Sequence, residues 1–377
     1  MKKIKNKNNP LKIMVVVGAR PNFIKIAPLF WEFKKYPEIK PILVHTGQHY
    51  DDAMSRAFFK DLDIPEPNVN LGIGSGTHAA QTAVALIKLE EIMVKERPAL
   101  AVVVGDVNSS LAAALAAAKL HIPVAHIEAG PRDFDMKKPE EVNRILIDRI
   151  SEINFCPTII AVDNLKNEGI VKGTYFAGDI MLDAFLALLE KVKKMEAAVL
   201  KKYGLVSGNY VLLTIHRQEN ADCPEKLGAI MEAMTESGRK VLFPVHPRTK
   251  KQLPAIIVAL KNHKNFGNLR FVDPLGYIEV IVMEKNAEMI CTDSGGIQKE
   301  AYWAKVPCVT LMETTGWPET VAGGWNTLAG ADKKKILRCL TFKRDLKPQK
   351  NYFGRGDTAK KIIDIIVKKY ADFGRIR

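Results

Sequence analysis

The sequence predicts an α/β protein built from two doubly wound parallel sheets, and two observations lead to this prediction. Short β-branched runs, such as LKIMVVVGA (11–19) and LAVVVGD (100–106), alternate with segments of helical spacing such as AAQTAVALIKLEEIMVKE (79–96). Strands that are apolar on both faces are typical of a parallel sheet covered by helices. A second series of strands begins near residue 209, after a long helical pattern at 181–205.

Composition narrows the class of protein. At 377 residues the chain is long enough for two ordinary domains, and its formal net charge of +14 favours anionic partners. Nucleic-acid binding is not expected, because no zinc-finger, RNP or basic-region pattern accompanies the lysines. Five scattered cysteines without a CxxC pair indicate reduced thiols. Without a signal-type region or a run approaching ~18 apolar residues, we expect a cytoplasmic protein with no membrane insertion.

Polar residues cluster where the predicted strands end. Asp106 follows the strand LAVVVG, Glu128 follows PVAHI, and Asp293 follows EMICT. In doubly wound sheets, ligands bind beyond the carboxyl ends of the strands. One such residue would indicate a cap, but their number in both halves predicts two walls of a single cleft. The other members of this set are Arg20, His45, Gln48, His216, His246, Arg248 and Ser294.

The stretch CTDSGGIQKEA (291–301) is the strongest candidate for an anion site. A strand ends, Ser294, Gly295 and Gly296 form a close turn, and a helix begins. Backbone N–H groups and the helix dipole favour a phosphate at such a start. Glu300, one turn later, can accept hydrogen bonds from ribose hydroxyls. The alternative is a plain serine N-cap beside a flexible turn.

A second strand-to-helix turn, GARPNFIK (18–25), carries two cations. Pro21 suits the first turn of a helix, and Arg20 and Lys25 lie close to that helix start. The two side chains can grip a diphosphate or steady the cleft. The alternative, equally open from this stretch alone, is that they are surface charges.

Missing motifs exclude several cofactor classes. No strand is followed by GxGxxG, because GIGSG (72–76) has the wrong spacing, and the P-loop pattern GxxxxGK[ST] is absent. The eight histidines form no HxxxH or HExxH group, so no metal is expected. We therefore expect no cofactor, with the chemistry resting on side chains and on the substrate's own phosphate.

Acid–base chemistry has four candidate residues, which are Asp106, Glu128, Glu140 and His216. Each also has a structural alternative. A strand-end histidine is commonly a hydrogen-bonded packing residue, and Glu140 can pair with Arg144 across one helical turn for ~0.3–0.5 kcal/mol. Their coincidence at the rim of one predicted cleft favours a catalytic role.

Nine segments occur in the order in which one enzyme family has them. They are GARPNFIKIAPL, HTGQHYD, GDVNSSLAAALAA, HIEAG, PEEVNR, TIHRQEN, HPRT, TDSGGIQKEA and PETVAGGWN. They run from about residue 12 to residue 330 and so cover nearly the whole chain. Any one of these segments alone would be weak evidence for the family, but the nine together are specific for it. The chain resembles the non-hydrolysing UDP-N-acetylglucosamine 2-epimerases of bacteria and archaea.

This resemblance implies a fold of the glycosyltransferase-B type, with two Rossmann-like domains and the active site in the cleft between them. The first domain is expected to comprise residues 1–181 and to be rejoined by a C-terminal helix at 356–377. The second, nucleotide-binding domain is expected at residues 182–355. A homodimer is also expected, and many bacterial members bind UDP-N-acetylglucosamine as an allosteric activator.

The family converts UDP-N-acetylglucosamine to UDP-N-acetylmannosamine, a precursor of surface polysaccharide. Its proposed mechanism eliminates UDP to leave 2-acetamidoglucal, and then adds UDP back with the opposite C2 configuration. The C2 proton of an N-acetylhexosamine has no adjacent carbonyl and is barely acidic. Without nicotinamide, the available route is to expel the anomeric diphosphate as C2–H breaks. That step needs a base over C2 and an acid or cations at the leaving phosphate.

Motif by motif, the family's functional residues fall on positions already singled out above. The catalytic positions are Asp106, Glu128, Glu140 and His216. The ligand contacts are Arg20, Lys25, Arg144, Ser294, Gly295, Gly296 and Glu300, to which we add the strand-end His246.

Two stretches depart from the family pattern. The family usually has a leucine and a small hydroxyl residue where this chain has Pro131 and Asp133, and Asp133 is expected to be a solvated loop residue. Met312 and Gly316 stand where Arg and Glu are common, and Trp317 resembles a variant in epimerases of modified uronic-acid sugars. Four alternatives therefore stay open. They are a UDP-2,3-diacetamido uronic acid 2-epimerase, a hydrolysing epimerase that releases UDP, a glycosyltransferase of the same fold, and a protein that only binds UDP.

Overall fold

The computed structural model of the chain describes residues 10–18, 20–47, 62–342 and 346–370. The protein folds as two compact units, residues 1–186 with 351–377 and residues 187–350. Each unit has its own parallel β-sheet covered by helices, so the predicted class of two doubly wound α/β domains is confirmed. Among the described residues, no helix has both the length and the apolar content needed to cross a bilayer.

The first unit contains a seven-stranded sheet. Its strands are β1 (Leu11–Val17), β2 (Ile39–His45), β3 (Val69–Asn70), β4 (Leu100–Val104), β5 (Val124–Ile127), β6 (Ile153–Cys156) and β7 (Thr174–Phe176). The strand order is β3-β2-β1-β4-β5-β6-β7, and all neighbouring pairs are parallel. The helices described between these strands, and directly after them, are α1 (Arg20–Phe33), α2 (His78–Glu96), α3 (Asn108–Lys119), α4 (Pro139–Ile150), α5 (Ile159–Asn167) and α6 (Ile180–Lys202).

The second unit contains a six-stranded sheet. Its strands are β8 (Val211–Thr214), β9 (Val241–Pro244), β10 (Leu269–Val272), β11 (Met289–Thr292), β12 (Cys308–Thr310) and β13 (Asn326–Leu328). The strand order is β10-β9-β8-β11-β12-β13, and again all neighbouring pairs are parallel. The described helices are α7 (Gln218–Ala221), α8 (Pro224–Glu236), α9 (Pro247–Lys250), α10 (Leu253–Leu260), α11 (Tyr277–Asn286), α12 (Gly295–Ala304), α13 (Pro318–Ala322) and α14 (Lys333–Thr341).

The central strands explain why the sheets are parallel. Every residue of β4 is at most 1% exposed, and Val15 of β1 lies opposite Val102 of β4 in the ladder. Branched apolar side chains on both faces of a strand need a helical layer on each side, and only parallel strands with crossover helices supply both layers. The run LAVVV is therefore a core strand, as its composition predicts.

Both sheets have a topological switch point at their centre. In the first unit, the strands that follow β1 in the chain lie on one side of it, and β4 and the later strands lie on the other side. In the second unit, β8 and β11 divide the sheet in the same way. At such a point the two connections leave on opposite sides of the sheet and open a crevice at the carboxyl ends of the strands. Asp106 follows β4 and Asp293 follows β11, so both lie where a ligand is expected.

The last described helix, α15 (Thr358–Tyr370), belongs to the first unit and packs against α1. The hydroxyl of Tyr36 donates to Asp364 Oδ1 at 2.8 Å, and the hydroxyl of Tyr370 donates to Glu152 Oε1 at 3.1 Å. These contacts fix α15 at its middle and at its last residue, because they join it to two different parts of the first unit.

Glu284 is an unusual member of the core of the second unit. It lies on α11, its side chain is 0% exposed, and no donor reaches either of its carboxyl oxygens. Burial, and then the adjacent carboxyl of Glu300, raise the pKa of Glu284 well above its ordinary range. A carboxyl with no donor and an acidic neighbour is held in its neutral, protonated form.

We expect Glu284→Gln to make unfolding less sensitive to pH. The unfolded chain releases the Glu284 proton above pH about 4.3, whereas the folded chain keeps it, so stability falls as pH rises towards the higher folded pKa. The neutral amide does not titrate and so removes this loss. As pH rises, the free energy of unfolding of the variant should increase relative to that of the wild type by up to about 1.4 kcal/mol per pH unit. Denaturant unfolding followed at a series of pH values measures this difference.

Glu190→Gln is the matched control, because Glu190 is an exposed carboxylate of the same type. Its unfolding curves should keep the wild-type dependence on pH. If Glu284→Gln also keeps that dependence, Glu284 is ionised in the folded protein and the assignment is wrong.

Candidate active site

The polar cluster of the first unit is built at the ends of β4 and β5. Gly105 and Asp106 directly follow β4, and Glu128 directly follows β5. Asn22, in the first turn of α1, donates from Nδ2 to the carbonyl oxygen of Val104 at 3.1 Å and so ties the end of β4 to α1. Three segments that are distant in sequence therefore meet at one edge of the sheet.

Lys25 and Glu128 form an ion pair beside Gly105. Each of the two side chains is 12% exposed. A Cβ atom added to Gly105 would come within 3.0 Å of Lys25 Nζ and 3.3 Å of Glu128 Oε2, so only glycine leaves room for this pair. Gly105 has a φ of +63° and Glu128 a φ of +70°. A left-handed backbone is costly at a residue other than glycine, and such strain is often retained at functional sites.

Asp106 is bound by a second cation, Arg144. Arg144 Nη2 lies 2.6 Å from Asp106 Oδ2. Burial works to raise the pKa of Asp106, but the positive charges of Arg144 and Lys25 outweigh burial, and the net effect lowers it. Asp106 therefore stays ionised at neutral pH, and it is available as a proton acceptor or as a negative charge facing a ligand.

The carboxylate that joins Arg144 on α4 is that of Glu141. Arg144 Nη1 donates to Glu141 Oε2 at 2.5 Å, and Glu141 is 1% exposed. Glu141 also accepts the backbone N–H groups of Asp133 and Phe134, at 3.1 and 2.9 Å. Glu140, the predicted cleft acid, is half-buried in the same helical turn. Glu141 thus organises the loop before α4, and its i, i+3 spacing from Arg144 is the signal that could have revealed it.

The expectation that Asp133 is solvated is wrong. Its side chain is 11% exposed, and its Oδ2 atom lies 3.5 Å from both Arg144 Nη1 and Lys138 Nζ. Glu141 fixes the backbone of this loop, and two cations draw the carboxylate inwards. The residue that departs from the family pattern therefore joins the charged cluster around Arg144.

In the second unit, Asp293 holds together the ends of β8 and β11. It is 2% exposed and accepts the backbone N–H of His216 at 3.0 Å and that of Arg217 at 3.0 Å. Asn220 adds a side-chain hydrogen bond to the same carboxylate at 3.3 Å. Asp293 was noted in the sequence only as a strand-end residue, and its role is to fix the loop that carries His216.

His216 and His246 face each other across this loop, with ring centroids 5.7 Å apart. His216 Nδ1 lies 3.4 Å from Asp293 Oδ1. The His216 side chain is 38% exposed, and its partial burial, together with the nearby guanidinium groups of Arg217 and Arg248, lowers its pKa, although the charge of Asp293 opposes them. The ring is therefore neutral at neutral pH, and a neutral imidazole can accept a proton or donate a hydrogen bond. His246 caps α9 by accepting the N–H of Arg248 at 3.2 Å.

The predicted anion turn is present at the start of α12. Ser294 is its N-cap, and the Ser294 hydroxyl accepts the N–H of Ile297 at 3.5 Å. A Cβ atom on Gly295 would come within 3.0 Å of Trp317 Nε1, so the indole lies directly against the turn. The strand-to-helix turn is therefore present, and the serine cap is what the plain N-cap alternative also predicts. Anion binding at this turn stays a prediction.

Glu300 follows on the buried side of α12 and is 3% exposed. The hydroxyl of Tyr277 donates to Glu300 Oε1 at 2.7 Å. With Tyr277 on one oxygen and the protonated Glu284 nearby, the Glu300 carboxylate is oriented before any ligand arrives. Such an orientation suits a residue that accepts hydrogen bonds from a pair of ribose hydroxyls.

Lys299, next to Glu300, was not singled out by the sequence. Its side chain is 0% exposed, and its ammonium lies 3.9 Å from the centre of the Trp317 ring. A cation over an indole face is attracted by the ring's electrons, and burial strengthens this contact. Trp317 is thus held between Lys299 and Gly295. Of the other departures in this stretch, Met312 has its sulfur 3.7 Å from the Asn220 amide nitrogen.

Two predicted positions have no side-chain description. Arg20 begins α1 but its side chain is outside the described part, and Gln48 lies in the undescribed range 48–61. His45 is 5% exposed and packs against Phe23 with ring centroids 5.0 Å apart. Within the described residues, no group of three or more His, Cys, Asp or Glu side chains could hold a metal ion.

Comparison with known proteins identifies the family. The family model described as UDP-N-acetylglucosamine 2-epimerase matches residues 31–367. The chain is 49% identical over 357 residues to the UDP-N-acetylglucosamine 2-epimerase homolog of Methanococcus maripaludis, with 94% of this chain and 99% of that protein covered. It is 39% identical over 367 residues to the UDP-2,3-diacetamido-2,3-dideoxy-D-glucuronate 2-epimerase of Pseudomonas aeruginosa, covering 95% of this chain and 100% of that protein.

A solved structure agrees with these relatives. The crystal structure of Methanocaldococcus jannaschii UDP-GlcNAc 2-epimerase in complex with UDP-GlcNAc and UDP has a TM-score of 0.87 and 42% identity to this chain. That likeness covers 95% of this chain and 99% of the other, and it confirms the predicted glycosyltransferase-B type of fold. The chain therefore belongs to the UDP-N-acetylglucosamine 2-epimerase family, and the protein is an epimerase.

Proposed function

We propose that this enzyme inverts C2 of UDP-N-acetylglucosamine to give UDP-N-acetylmannosamine, by eliminating UDP and adding it back. The observation that supports this most strongly is the cluster of Asp106 and Glu128 beside Lys25 and Arg144 at the switch point of the first sheet. Two carboxylates held next to two cations can exchange a proton with carbon while stabilising a departing phosphate. We further propose a cytoplasmic homodimer that supplies a surface-polysaccharide precursor.

The first half of the reaction needs a proton acceptor. The C2–H bond breaks as its electrons form a C1=C2 double bond, and the C1–O bond breaks with its electron pair going to UDP. Because Arg144 and Lys25 keep Asp106 ionised, a carboxylate is available for the proton at neutral pH. We assign proton exchange at C2 to the Asp106 and Glu128 pair, and variants at the two positions separate their roles.

The nucleotide is assigned to the second unit. The turn at Ser294 and Gly295 offers the N-terminus of α12 to the diphosphate, and Glu300 accepts the ribose hydroxyls. His216, neutral at neutral pH and held through its backbone by Asp293, donates a hydrogen bond to the leaving phosphate oxygen in this scheme. In the second half of the reaction, UDP oxygen re-forms the bond to C1 and a proton is delivered to the opposite face of C2.

A UDP-2,3-diacetamido uronic acid is the second candidate substrate. The Pseudomonas aeruginosa relative is named for such a sugar nucleotide, and Trp317 is the feature of this chain that favours it. The indole lies against the anion turn with Lys299 behind its ring. Incubation with each nucleotide in parallel decides between the two, because the better substrate has the higher kcat/KM.

We expect Ser294→Ala and Glu300→Gln each to weaken UDP binding. Each variant removes one charge-assisted hydrogen bond from the predicted nucleotide site, a loss of about 1.5–3 kcal/mol or roughly 10- to 150-fold in Kd. Isothermal titration calorimetry with UDP measures both. Thr77→Ala is the matched control, since Thr77 caps α2 in the first unit with the same type of hydroxyl contact, to Ala80 N at 3.3 Å.

UDP affinity should be unchanged in Thr77→Ala. Wild-type affinity in both Ser294→Ala and Glu300→Gln would remove this turn from the proposed nucleotide site, whatever the reaction catalysed.

We expect product formed in D₂O to carry deuterium at C2. If C2–H is broken and re-formed, the new hydrogen comes from solvent through a side chain. Glu128→Gln and His216→Asn should each lower turnover by at least ~10²-fold, the usual scale for losing a positioned acid or base. NMR of the product reports both the deuterium and the C2 configuration.

Asp106→Asn completes the set, because it removes the negative charge while preserving the shape of the side chain. UDP affinity should survive better than turnover in all three variants. Deuterium-free product from active wild-type enzyme would contradict elimination through C2. A near-normal rate in Glu128→Gln would leave Asp106 and Glu140 as the remaining carboxylates.

A further inference from the structure

A buried line of charged side chains lies behind Asp106. His126 is in β5, Asp148 is on α4, Arg132 is in the loop after Glu128, and Glu168 directly follows α5. The side chains of His126 and Asp148 are 0% exposed, and that of Arg132 is 1% exposed. None of them was singled out by the sequence, in which His126 resembles a packing residue of an apolar strand.

Hydrogen bonds connect this line from end to end. Arg132 donates to both oxygens of Glu168, at 2.7 and 2.8 Å, and its Nη1 atom lies 2.7 Å from Asp148 Oδ2. Asp148 Oδ1 lies 2.7 Å from His126 Nδ1. The second ring nitrogen of His126, Nε2, lies 3.0 Å from the carbonyl oxygen of Gly105. The line therefore ends at the peptide bond that carries Asp106.

The partners of His126 decide its state. A backbone carbonyl can only accept a hydrogen bond, so Nε2 must carry a hydrogen. Asp148 also accepts from Arg132 and from the N–H of Gly130 at 3.2 Å, and its other oxygen holds Nδ1 on the opposite side of the ring. The ring is therefore fixed with its Nε2–H facing the Gly105 carbonyl.

Gly105 is the point at which this line reaches the candidate site. Its N–H donates to the carbonyl oxygen of Ile127 at 3.0 Å, while its own carbonyl accepts from His126. Both polar groups of a left-handed residue are thus fixed, and its α-carbon lies against Lys25 and Glu128. A rotation of this peptide would move Asp106 and open the space beside the Lys25–Glu128 pair.

We propose that His126 is a positioning residue for proton exchange at C2, acting through the hydrogen bond from its Nε2 to the carbonyl of Gly105. The role rests on the proposed function of Asp106 and Glu128. His126 touches no reacting atom in this scheme. It holds the turn in which Asp106 begins, and Asp148 and Arg132 hold His126.

A matched set of substitutions isolates this one hydrogen bond. The amide nitrogen of glutamine in His126→Gln stands close to the position of Nε2 and can still donate to Gly105. The amide nitrogen of asparagine in His126→Asn stands close to Nδ1 and can donate only to Asp148. His126→Leu has a similar volume and donates to neither. We expect His126→Gln to keep kcat within about threefold, and the other two to lose at least about tenfold, because small misplacements of catalytic groups are costly.

Two further measurements separate positioning from general loss of structure. UDP affinity should be the same in all three variants and in the wild type, so the loss should appear in kcat rather than in binding. Glu90→Gln is the control, because Glu90 is an exposed carboxylate on α2 outside this line, and it should keep wild-type kcat. Thermal unfolding of each variant is recorded alongside.

The proposal is overturned if His126→Asn is as active as His126→Gln, or if kcat simply follows the unfolding temperature across the set. NMR of the full chain with ¹⁵N-labelled histidine tests the geometry without any substrate, and the His126 signal is the one missing from His126→Leu. It should show a hydrogen on Nε2 at neutral pH, and a ring without a hydrogen on Nε2 would overturn the assignment. If the wild type turns over no UDP-sugar, the proposed function fails while this NMR result still stands or falls separately.

Discussion

Charge compensation around Arg144 is the interaction on which the first unit's site depends. Asp106, Glu141 and Asp133 all lie within 3.5 Å of its guanidinium, and each comes from a different part of the chain. Without this cation, these three carboxylates would repel one another. The same guanidinium therefore gathers the end of β4, the loop before α4 and α4 itself. Lys25 compensates the charge of Glu128 in the same way, and Arg132 compensates that of Asp148.

The second unit keeps its acids buried by different means. Asp293 has backbone N–H groups as its main partners, and these donors stabilise its charge whatever side chains the donor residues carry. Glu284 gives up its charge altogether and remains protonated. Lys299 is covered by the face of an indole. These three arrangements leave little uncompensated negative charge near this turn, which suits the anionic diphosphate that we propose to bind there.

The sequence was sufficient for the architecture and for part of the site. Runs such as LAVVV predict a strand that is buried on both faces, and therefore a parallel sheet. The residues that follow such strands, here Asp106, Glu128 and Asp293, then lie at the carboxyl edges of the two sheets. It could not distinguish Glu140 from Glu141, because two adjacent acids in the first turn of a helix differ only in which one faces the core. It also missed His126, since a histidine in an apolar strand has the same pattern whether it only packs or also donates a hydrogen bond to the backbone. Asp133 was misjudged for a related reason, because its cations lie elsewhere in the chain.

Trp317 also has an optical consequence. Its indole is 8% exposed, an ammonium lies 3.9 Å from the ring centre, and its pyrrole nitrogen lies against Gly295 of the anion turn. Indole emission responds to charges near the ring, and here one positive charge is fixed on the face while the nitrogen edge meets whatever the turn holds. A diphosphate bound at the turn would add negative charge at the nitrogen edge of the ring, while the Lys299 ammonium keeps a positive charge on its face. The enzyme thus carries its own fluorescent reporter, one of four tryptophans in the chain, at the place where its nucleotide is expected to dock.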